Sequence, residues 1–269
     1  FFNYGYTTTK NSTILPTLKL VSRESKPKYL IVGIDQWNFN KSWDKTSYPD
    51  YQSRFPRLKH SLDVVSLFTL VTEILKFEGN HTSSKGKIGL NAIHHGNGFR
   101  RDGSRNYGVL IDKLFKGDTT YEDYKFQDTF RRIEDGNRRF QYGNKIDTSQ
   151  LNYIYDLIDY CESNDIKLIF FLPPFAPTVW KVMTESGNYS YISDLDNHMK
   201  TVSMKYDIPY FNFSGPGVLN YTDEEMIDGF HGSESVYSKI LLHIACENSD
   251  FAEIIDTEVI HGALESRES

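Results

Sequence analysis

An aspartate and a histidine three residues apart, Asp228 and His231, have the spacing most suggestive of chemistry in this chain. A carboxylate at that spacing can orient an imidazole through one ring nitrogen, which leaves the other nitrogen to exchange protons. The pair precedes Ser233, which is predicted to begin the last helix. The pattern indicates acid–base chemistry, but it is equally compatible with Asp228 capping a turn beside a surface histidine.

Two further segments follow predicted strands and belong to the same candidate site. Gly33-Ile34-Asp35-Gln36-Trp37-Asn38 comes after the first strand, and Pro173-Pro174-Phe175 comes after a central one. In open parallel sheets, ligands gather at the carboxyl ends of the strands. We therefore expect Asp35 to lie close to His231, with Asp228 on the other side of the imidazole. The three are the predicted catalytic residues.

A third group of polar residues lies in a long stretch after the first strand. Asn97, Arg100 and Asp102 lie within a run of His, Gly, Asn and Arg residues that suits recognition of hydroxyl and carboxylate groups. We predict that they bind substrate together with Trp37 and Asn38. The alternatives are an ordinary turn at Gly-Asn-Gly, a solvated loop, and core packing of Trp37. No metal or other cofactor is predicted, since adjacent histidines seldom bind one zinc ion.

Alternating apolar runs and amphipathic stretches must position these residues. Strands are predicted at 29–32, 167–172 and 209–213, and helices at 55–77, 122–142, 148–164, 190–206 and 233–246. This alternation predicts an α/β fold with a parallel sheet and helices on both faces. We divide the chain into an N-terminal arm (1–28), an α/β domain (29–250) with a large insertion (about 36–125), and a C-terminal tail (251–269).

Three features together resemble the SGNH/GDSL hydrolase superfamily: a strand ending in Gly-x-Asp35, a central strand ending in proline, and Asp-x-x-His before the last helix. The resemblance is greatest to the envelope branch that moves acyl groups on surface polysaccharides and teichoic acids, and it covers 29–35 and about 148–246. It implies a three-layer α/β/α flavodoxin-like domain. It also implies that Asp228 and His231 are the catalytic pair, and that the protein acts outside the cytoplasm, in the periplasm or at the cell surface.

The chain departs from that family at one position, because Asp35 stands where the family has its serine nucleophile. A carboxylate replaces serine poorly in acyl transfer, since the product would be a reactive mixed anhydride. Two hypotheses follow: an esterase or O-acyltransferase-like enzyme on carbohydrate, or an inactive glycan-binding or polysaccharide-assembly protein. Hydrogen bonding between Asp35 and His231 below an open cleft would favour the enzyme. An aromatic or arginine side chain filling that cleft would favour binding.

Composition limits the remaining classes of function. The 269 residues carry 30 Lys and Arg against 36 Asp and Glu, a formal charge of −6 that argues against nucleic-acid binding. Two cysteines, Cys161 and Cys246, exclude a cysteine-rich zinc module and leave open whether they form one disulfide. The expected partners are a surface polysaccharide and envelope-assembly proteins. The start at Phe1 rather than Met leads us to expect an upstream signal or membrane anchor.

Overall fold

The computed structural model describes residues 3, 10–43, 87–88, 97–100, 103–108, 111, 113–114 and 116–268. The chain forms two compact units. The first comprises Phe1–Val21 with Asp44–Gly117, and the second comprises Ser22–Trp43 with Asp118–Ser269. The second unit contains Asp35, Asp228 and His231.

In chain order, the regular elements of the described residues are α1 (Ile14–Ser22), β1 (Tyr29–Gly33), β2 (Lys87–Ile88), β3 (Asn97–Arg100), β4 (Arg105–Tyr107), α2 (Gln127–Asp135), α3 (Leu151–Ser163), β5 (Lys167–Leu172), α4 (Pro177–Ser186), α5 (Tyr191–Tyr206), β6 (Tyr210–Asn212), α6 (Glu234–Glu247), α7 (Ser249–Ala252) and α8 (Thr257–Glu268). Short 3₁₀ turns precede or link several of them, among them Gln36–Phe39 directly after β1.

The second unit is built on a three-stranded parallel sheet in the order β1-β5-β6. The predicted central strand Lys167–Leu172 is therefore confirmed, as are the strands on either side of it. Five of the six residues of β5 are buried, which is the pattern of a strand covered on both faces. The fold of this unit is α/β with a small parallel sheet, compatible with a three-layer arrangement.

Helices with one apolar face supply the rest of the core. The face of α3 that includes Leu157, which is 0% exposed, packs against β5. The predicted helix at 190–206 is confirmed as α5, and it buries Leu195, Met199 and Val202 at helical spacing. Asp147 begins the turn before α3, where its carboxylate accepts the backbone N–H of Ser149.

The single helix predicted over 122–142 is wrong. The structure has a 3₁₀ turn at Tyr124–Phe126 and then α2, which ends at Gly136 in the left-handed conformation with φ 61°. The two residues Arg138 and Arg139 also have positive φ, 46° and 83°, so the backbone cannot continue as a helix. Phe140 then turns inward and is 1% exposed. The break was not predicted because charged residues run through the whole stretch.

The predicted arm and tail both contain helix. Residues 1–28 include α1, and residues 251–269 include all of α8. The helix predicted at 55–77 lies outside the described residues. Within the first unit, β2, β3 and β4 form an antiparallel sheet, which the sequence did not predict.

Two further expectations concern a disulfide between the cysteines and a helix that could cross a membrane. Both cysteines are free, Cys161 buried and Cys246 exposed, so no disulfide joins them. In the part of the chain that the structure describes, no helix has the length and apolar character needed to cross a bilayer.

Two methionines on α5 test the packing of the second unit. Met199 is 0% exposed and Met204 is 77% exposed. We expect Met199→Ala to lower the free energy of unfolding by about 2–5 kcal/mol, since it leaves a cavity beside the sheet. Met204→Ala, the matched control, should change that free energy by no more than about 0.5 kcal/mol. Urea denaturation measures both, and equal effects would contradict the described orientation of α5.

Candidate functional site

The Asp-x-x-His segment is a narrow loop closed by backbone hydrogen bonds. Met226 and Gly232 pair as an antiparallel bridge, and the Ile227 N–H donates to the His231 carbonyl at 2.8 Å. One residue further on, the Ser233 N–H donates to the carbonyl of Glu225 at 2.9 Å. The loop therefore leads directly into α6 and fixes where Asp228 and His231 stand.

Asp228 and His231 contact each other directly. Asp228 Oδ2 lies 2.7 Å from His231 Nδ1, and its Oδ1 accepts the backbone N–H groups of His231 at 2.8 Å and Phe230 at 2.9 Å. Because an ionised carboxylate only accepts hydrogen bonds, Nδ1 carries the hydrogen, and it is Nε2 that presents a lone pair when the imidazole is neutral. The His231 side chain is 39% exposed. The arrangement is that of an oriented imidazole base.

The electrostatics of Asp228 agree with this geometry. Burial alone would raise the pKa of Asp228, but the charge of the His231 imidazole and the three hydrogen bonds outweigh it and hold that pKa below the usual value. Asp228 thus stays ionised at neutral pH and keeps the imidazole in one orientation.

The buried carboxylate of Asp123 forms hydrogen bonds that fix the backbone of this loop. Its Oδ2 accepts the backbone N–H of Gly229 at 3.1 Å and the Thr129 hydroxyl at 2.7 Å, and its Oδ1 accepts the Thr129 N–H at 2.8 Å. On the other side, the Gly229 carbonyl accepts the N–H of Ala176 at 3.0 Å. Asp123 was not predicted to belong to the site, because it lies 105 residues before Asp228 in a charged stretch with no motif of its own.

Asp35 follows β1 at the same carboxyl edge of the sheet. Loss of water raises the pKa of its carboxyl group from 3.8 to about 7, although the positive charges of Arg139 and His231 act to lower it. No hydrogen bond joins Asp35 to His231 among the described residues. The structure shows an electrostatic interaction between Asp35 and His231, and the predicted placement of Asp35 opposite Asp228 stays a prediction. The pKa values of the two carboxyl groups shift in opposite directions.

Gln36, the next residue, ties the three strand ends together. It is 0% exposed, and its Nε2 donates to the Pro173 carbonyl at 2.8 Å and to the Ser214 hydroxyl at 3.0 Å. Pro173 directly follows β5, and Ser214 lies just after β6. Gln36 therefore fixes the position of Asp35 relative to the other two strands, a function that its residue type alone did not reveal.

Arg139, which was not predicted from the sequence, adds a positive charge to the site. Its Cζ lies 5.2 Å from the ring centre of Trp37 and 5.3 Å from that of Phe230. The Phe230 ring also contacts the His231 imidazole, with 4.4 Å between ring centres. Arg139 and His231 therefore lie against one shared aromatic ring, and both act on Asp35.

The five predicted substrate-binding residues fall into three groups in the structure. Trp37 and Asn38 lie in the turn after β1 and are only 7% and 3% exposed, so Trp37 packs against Phe230 at 5.6 Å instead of offering a face to a sugar. Arg100 and Asn97 belong to β3 of the first unit, where Arg100 Nη1 donates to the Ser104 hydroxyl at 3.2 Å. Asp102 lies outside the described residues.

A groove of about 700 Å³ opens at the opposite, amino-terminal edge of the sheet. It is lined by the first residues of β1 and β5 and by the end of α5. Its lysines already have partners, since Lys167 pairs with Asp250 and Lys205 Nζ lies 3.0 Å from the Tyr206 hydroxyl. The acid–base groups are therefore at the other edge of the sheet from this groove.

Comparison with known proteins adds no relative. No protein-family model, no curated protein and no solved structure matches the chain. Within the described residues, no group of three or more His, Cys, Asp and Glu side chains could hold a metal ion. The assignment of this chain to a family therefore stays a prediction from its motifs.

Gly229 tests how tightly the loop is held. A side-chain carbon at Gly229 would clash with the Thr129 side chain, whereas one at Gly217 would meet nothing within 4 Å. We expect Gly229→Ala to lower the free energy of unfolding by about 1–3 kcal/mol, because the loop must move away from Thr129. It should also shift the low-field proton resonance of the His231 Nδ1–H. Gly217→Ala is the control, and the prediction fails if both variants behave alike.

Asp35 gives a prediction on pH. Between pH 3.8 and about 7 the unfolded chain has lost the Asp35 proton while the folded protein keeps it, so this group makes stability fall as pH rises. Asp35→Asn removes that fall. The variant should therefore gain stability relative to wild type, by up to about 1.4 kcal/mol for each pH unit up to about pH 7, and no more above it.

Urea denaturation of both proteins from about pH 5 to about pH 8 measures this gain. Asp156→Asn, which removes an exposed carboxylate on α3, is the matched control and should show a constant difference from wild type. A pH-independent difference between wild type and Asp35→Asn would show that the carboxyl group is not desolvated.

Proposed function

We propose that this protein is an SGNH hydrolase-like acyl-modifying enzyme of the cell envelope that acts on carbohydrate. The observation that carries the proposal is the 2.7 Å contact between Asp228 Oδ2 and His231 Nδ1, which leaves Nε2 on a side chain that is 39% exposed. An oriented and accessible imidazole is a general base suited to activating a hydroxyl group.

The proposed reaction needs no covalent enzyme intermediate. His231 Nε2 removes the proton of a hydroxyl group while that oxygen bonds to the acyl carbonyl carbon, and the carbonyl electron pair moves onto its oxygen. When the tetrahedral adduct collapses, the proton passes from Nε2 to the leaving oxygen. Attack by water hydrolyses the ester, and attack by a sugar hydroxyl transfers the acyl group. This route avoids a mixed anhydride on Asp35.

The other charged groups have roles in the same proposal. Asp228 stabilises the imidazolium that forms during proton transfer. Asp35, whose pKa of about 7 allows both protonation states near neutrality, relays the proton from Nε2 to the leaving oxygen: it gives its own proton to that oxygen and takes the one that Nε2 carries. The Arg139 guanidinium lies beside Phe230, whose ring also contacts His231, and supplies positive charge next to the reacting groups.

The wider setting also belongs to the proposal. The α/β fold with a central strand ending at Pro173-Pro174 supports a three-layer SGNH-type domain. That family relation would place the protein outside the cytoplasm, in the periplasm or at the cell surface. Its substrate would be a surface polysaccharide, and its partners would be envelope-assembly proteins.

A second candidate is a glycan-binding protein without catalytic activity. Three observations favour it: Asp35 stands in place of a nucleophilic serine, no hydrogen bond joins Asp35 to His231 among the described residues, and the Arg139 guanidinium packs over Trp37 and Phe230. In that case the scaffold would bind acylated polysaccharide during assembly and leave the acyl group in place.

Acetate release from a panel of O-acetylated oligosaccharides tests the enzyme. We expect His231→Ala and Asp228→Asn each to lower the rate by about 10²–10⁴-fold, since they remove the base or its orientation. His261→Ala, which removes an exposed histidine on α8, is the matched control and should leave the rate unchanged. Thermal melting confirms that each variant is folded. Binding of the panel with no acetate release by wild type would reject the enzyme in favour of the second candidate.

Asp35→Ser separates the two candidates more sharply. If Asp35 exchanges protons in the native reaction, the variant should lose the native activity by at least about tenfold. If the scaffold is a hydrolase that lost its nucleophile, the same variant should gain weak esterase activity toward a small acetyl ester. Burst kinetics of the variant would reveal an acyl-serine intermediate. An unchanged native rate would show that Asp35 takes no part in the reaction.

A further inference from the structure

The backbone at Arg139 has a conformation that is unusual for a residue whose side chain serves only packing. Its backbone φ is 83° and follows φ 46° at Arg138, so two consecutive residues without glycine's freedom adopt the left-handed region. Such conformations are costly and persist when surrounding contacts impose them. The next residue, Phe140, is 1% exposed and packs against Phe230 at 5.8 Å between ring centres. These two backbone conformations therefore place the Arg139 side chain at the candidate site.

The guanidinium is positioned but not neutralised. It lies over the rings of Trp37 and Phe230 and remains partly exposed. Among the described residues it forms no ion pair, and Asp35 interacts with it only at longer range. By contrast, Arg131 and Arg132 on α2 are both paired with Asp128. Arg139 thus keeps its hydrogen-bond donors available on the side away from the two rings.

From this geometry we infer that Arg139 is the specificity-determining residue of the site and binds an oxyanion, a carboxylate or a phosphate, carried by the sugar ligand. The inference rests on the proposed carbohydrate function and narrows its substrate class to an acidic glycan. A planar guanidinium positioned beside aromatic rings offers paired N–H donors that match the two oxygens of such a group.

The neighbouring groups are compatible with a negatively charged ligand. Arg139 and His231 both contact the Phe230 ring, so an anionic group bound at Arg139 would place the next part of the same sugar residue near the imidazole. Asp35 is the carboxyl group that faces this position, and desolvation favours its neutral form, which reduces repulsion. Asp228 is engaged by His231 and by two backbone N–H groups.

Three sugars with one ring but different groups at C6 test the inference: glucose, glucuronate and glucose 6-phosphate. Isothermal titration and the indole N–H resonance of Trp37 report binding to the wild-type protein. We expect at least one of the two anionic sugars to bind about tenfold more tightly than glucose, a typical effect of a charge-assisted contact. Comparison of glucuronate with glucose 6-phosphate shows whether the oxyanion is a carboxylate or a phosphate.

Adjacent arginines supply the matched variants. Arg139→Gln should remove the preference for the anionic sugars, and Arg139→Lys should restore only part of it, since an ammonium lacks the planar pair of donors. Arg138→Gln removes the same charge from an exposed residue with a similar backbone and should keep the preference. Melting curves identify any variant that fails to fold, in which case Arg139→Lys supplies the comparison.

The outcomes separate this inference from the proposed function. Equal affinity of wild type for all three sugars, failure to bind either anionic sugar, or an unchanged preference in Arg139→Gln would overturn the assignment of Arg139. Acetate release from neutral acetylated oligosaccharides at the rate seen with acidic ones would overturn it while leaving the proposed enzyme intact. Arg139-dependent anion binding without acetate release would support the inference and reject the enzyme.

Discussion

The candidate site depends on keeping one ionised carboxylate, Asp228, inside the protein. A buried charge is costly unless hydrogen bonds and a counter-charge compensate it. Asp228 has two backbone N–H donors and the His231 imidazole, and these together outweigh the effect of burial on its pKa. All three compensating groups belong to the same short loop. The shape of that loop therefore decides whether an oriented imidazole exists at all.

The loop cannot hold this shape by itself, and the surrounding unit supplies the support. Asp123 is bound to Gly229 and to Thr129, and the packing of Thr129 leaves room only for a glycine at position 229. Burial raises the pKa of Asp123, although its hydrogen bonds with Thr129 and Gly229 oppose that shift. Two buried carboxyl groups at neighbouring positions thus have separate tasks, one orienting the imidazole and one fixing the backbone beneath it.

Asp35 and Asp228 illustrate how one fold gives the same side chain different chemistry. Asp35 is half-buried, and desolvation raises its pKa to about 7; among the described residues no hydrogen bond stabilises its charge. Asp228 has gained three such bonds and stays ionised. Pairs of titratable groups with opposite pKa shifts are characteristic of acid–base sites, and this pair supports the proposed chemistry in the absence of the serine. Arg139 adds the positive charge that such a site needs for an anionic ligand or transition state.

Local patterns in the sequence determined the parts of this protein whose cause is local. The apolar run of Lys167–Leu172 specifies a buried strand, and the spacing of Leu195, Met199 and Val202 specifies a helix. Asp-x-x-His brings its own two side chains together because only two residues separate them. Tertiary structure alone decided the rest. Asp123, Gln36 and Arg139 reach the site across long chain separations, and the positive φ values at Arg138 and Arg139 follow from the burial of Phe140. The burial of Trp37 and the pKa of Asp35 likewise depend on neighbours that no short pattern contains.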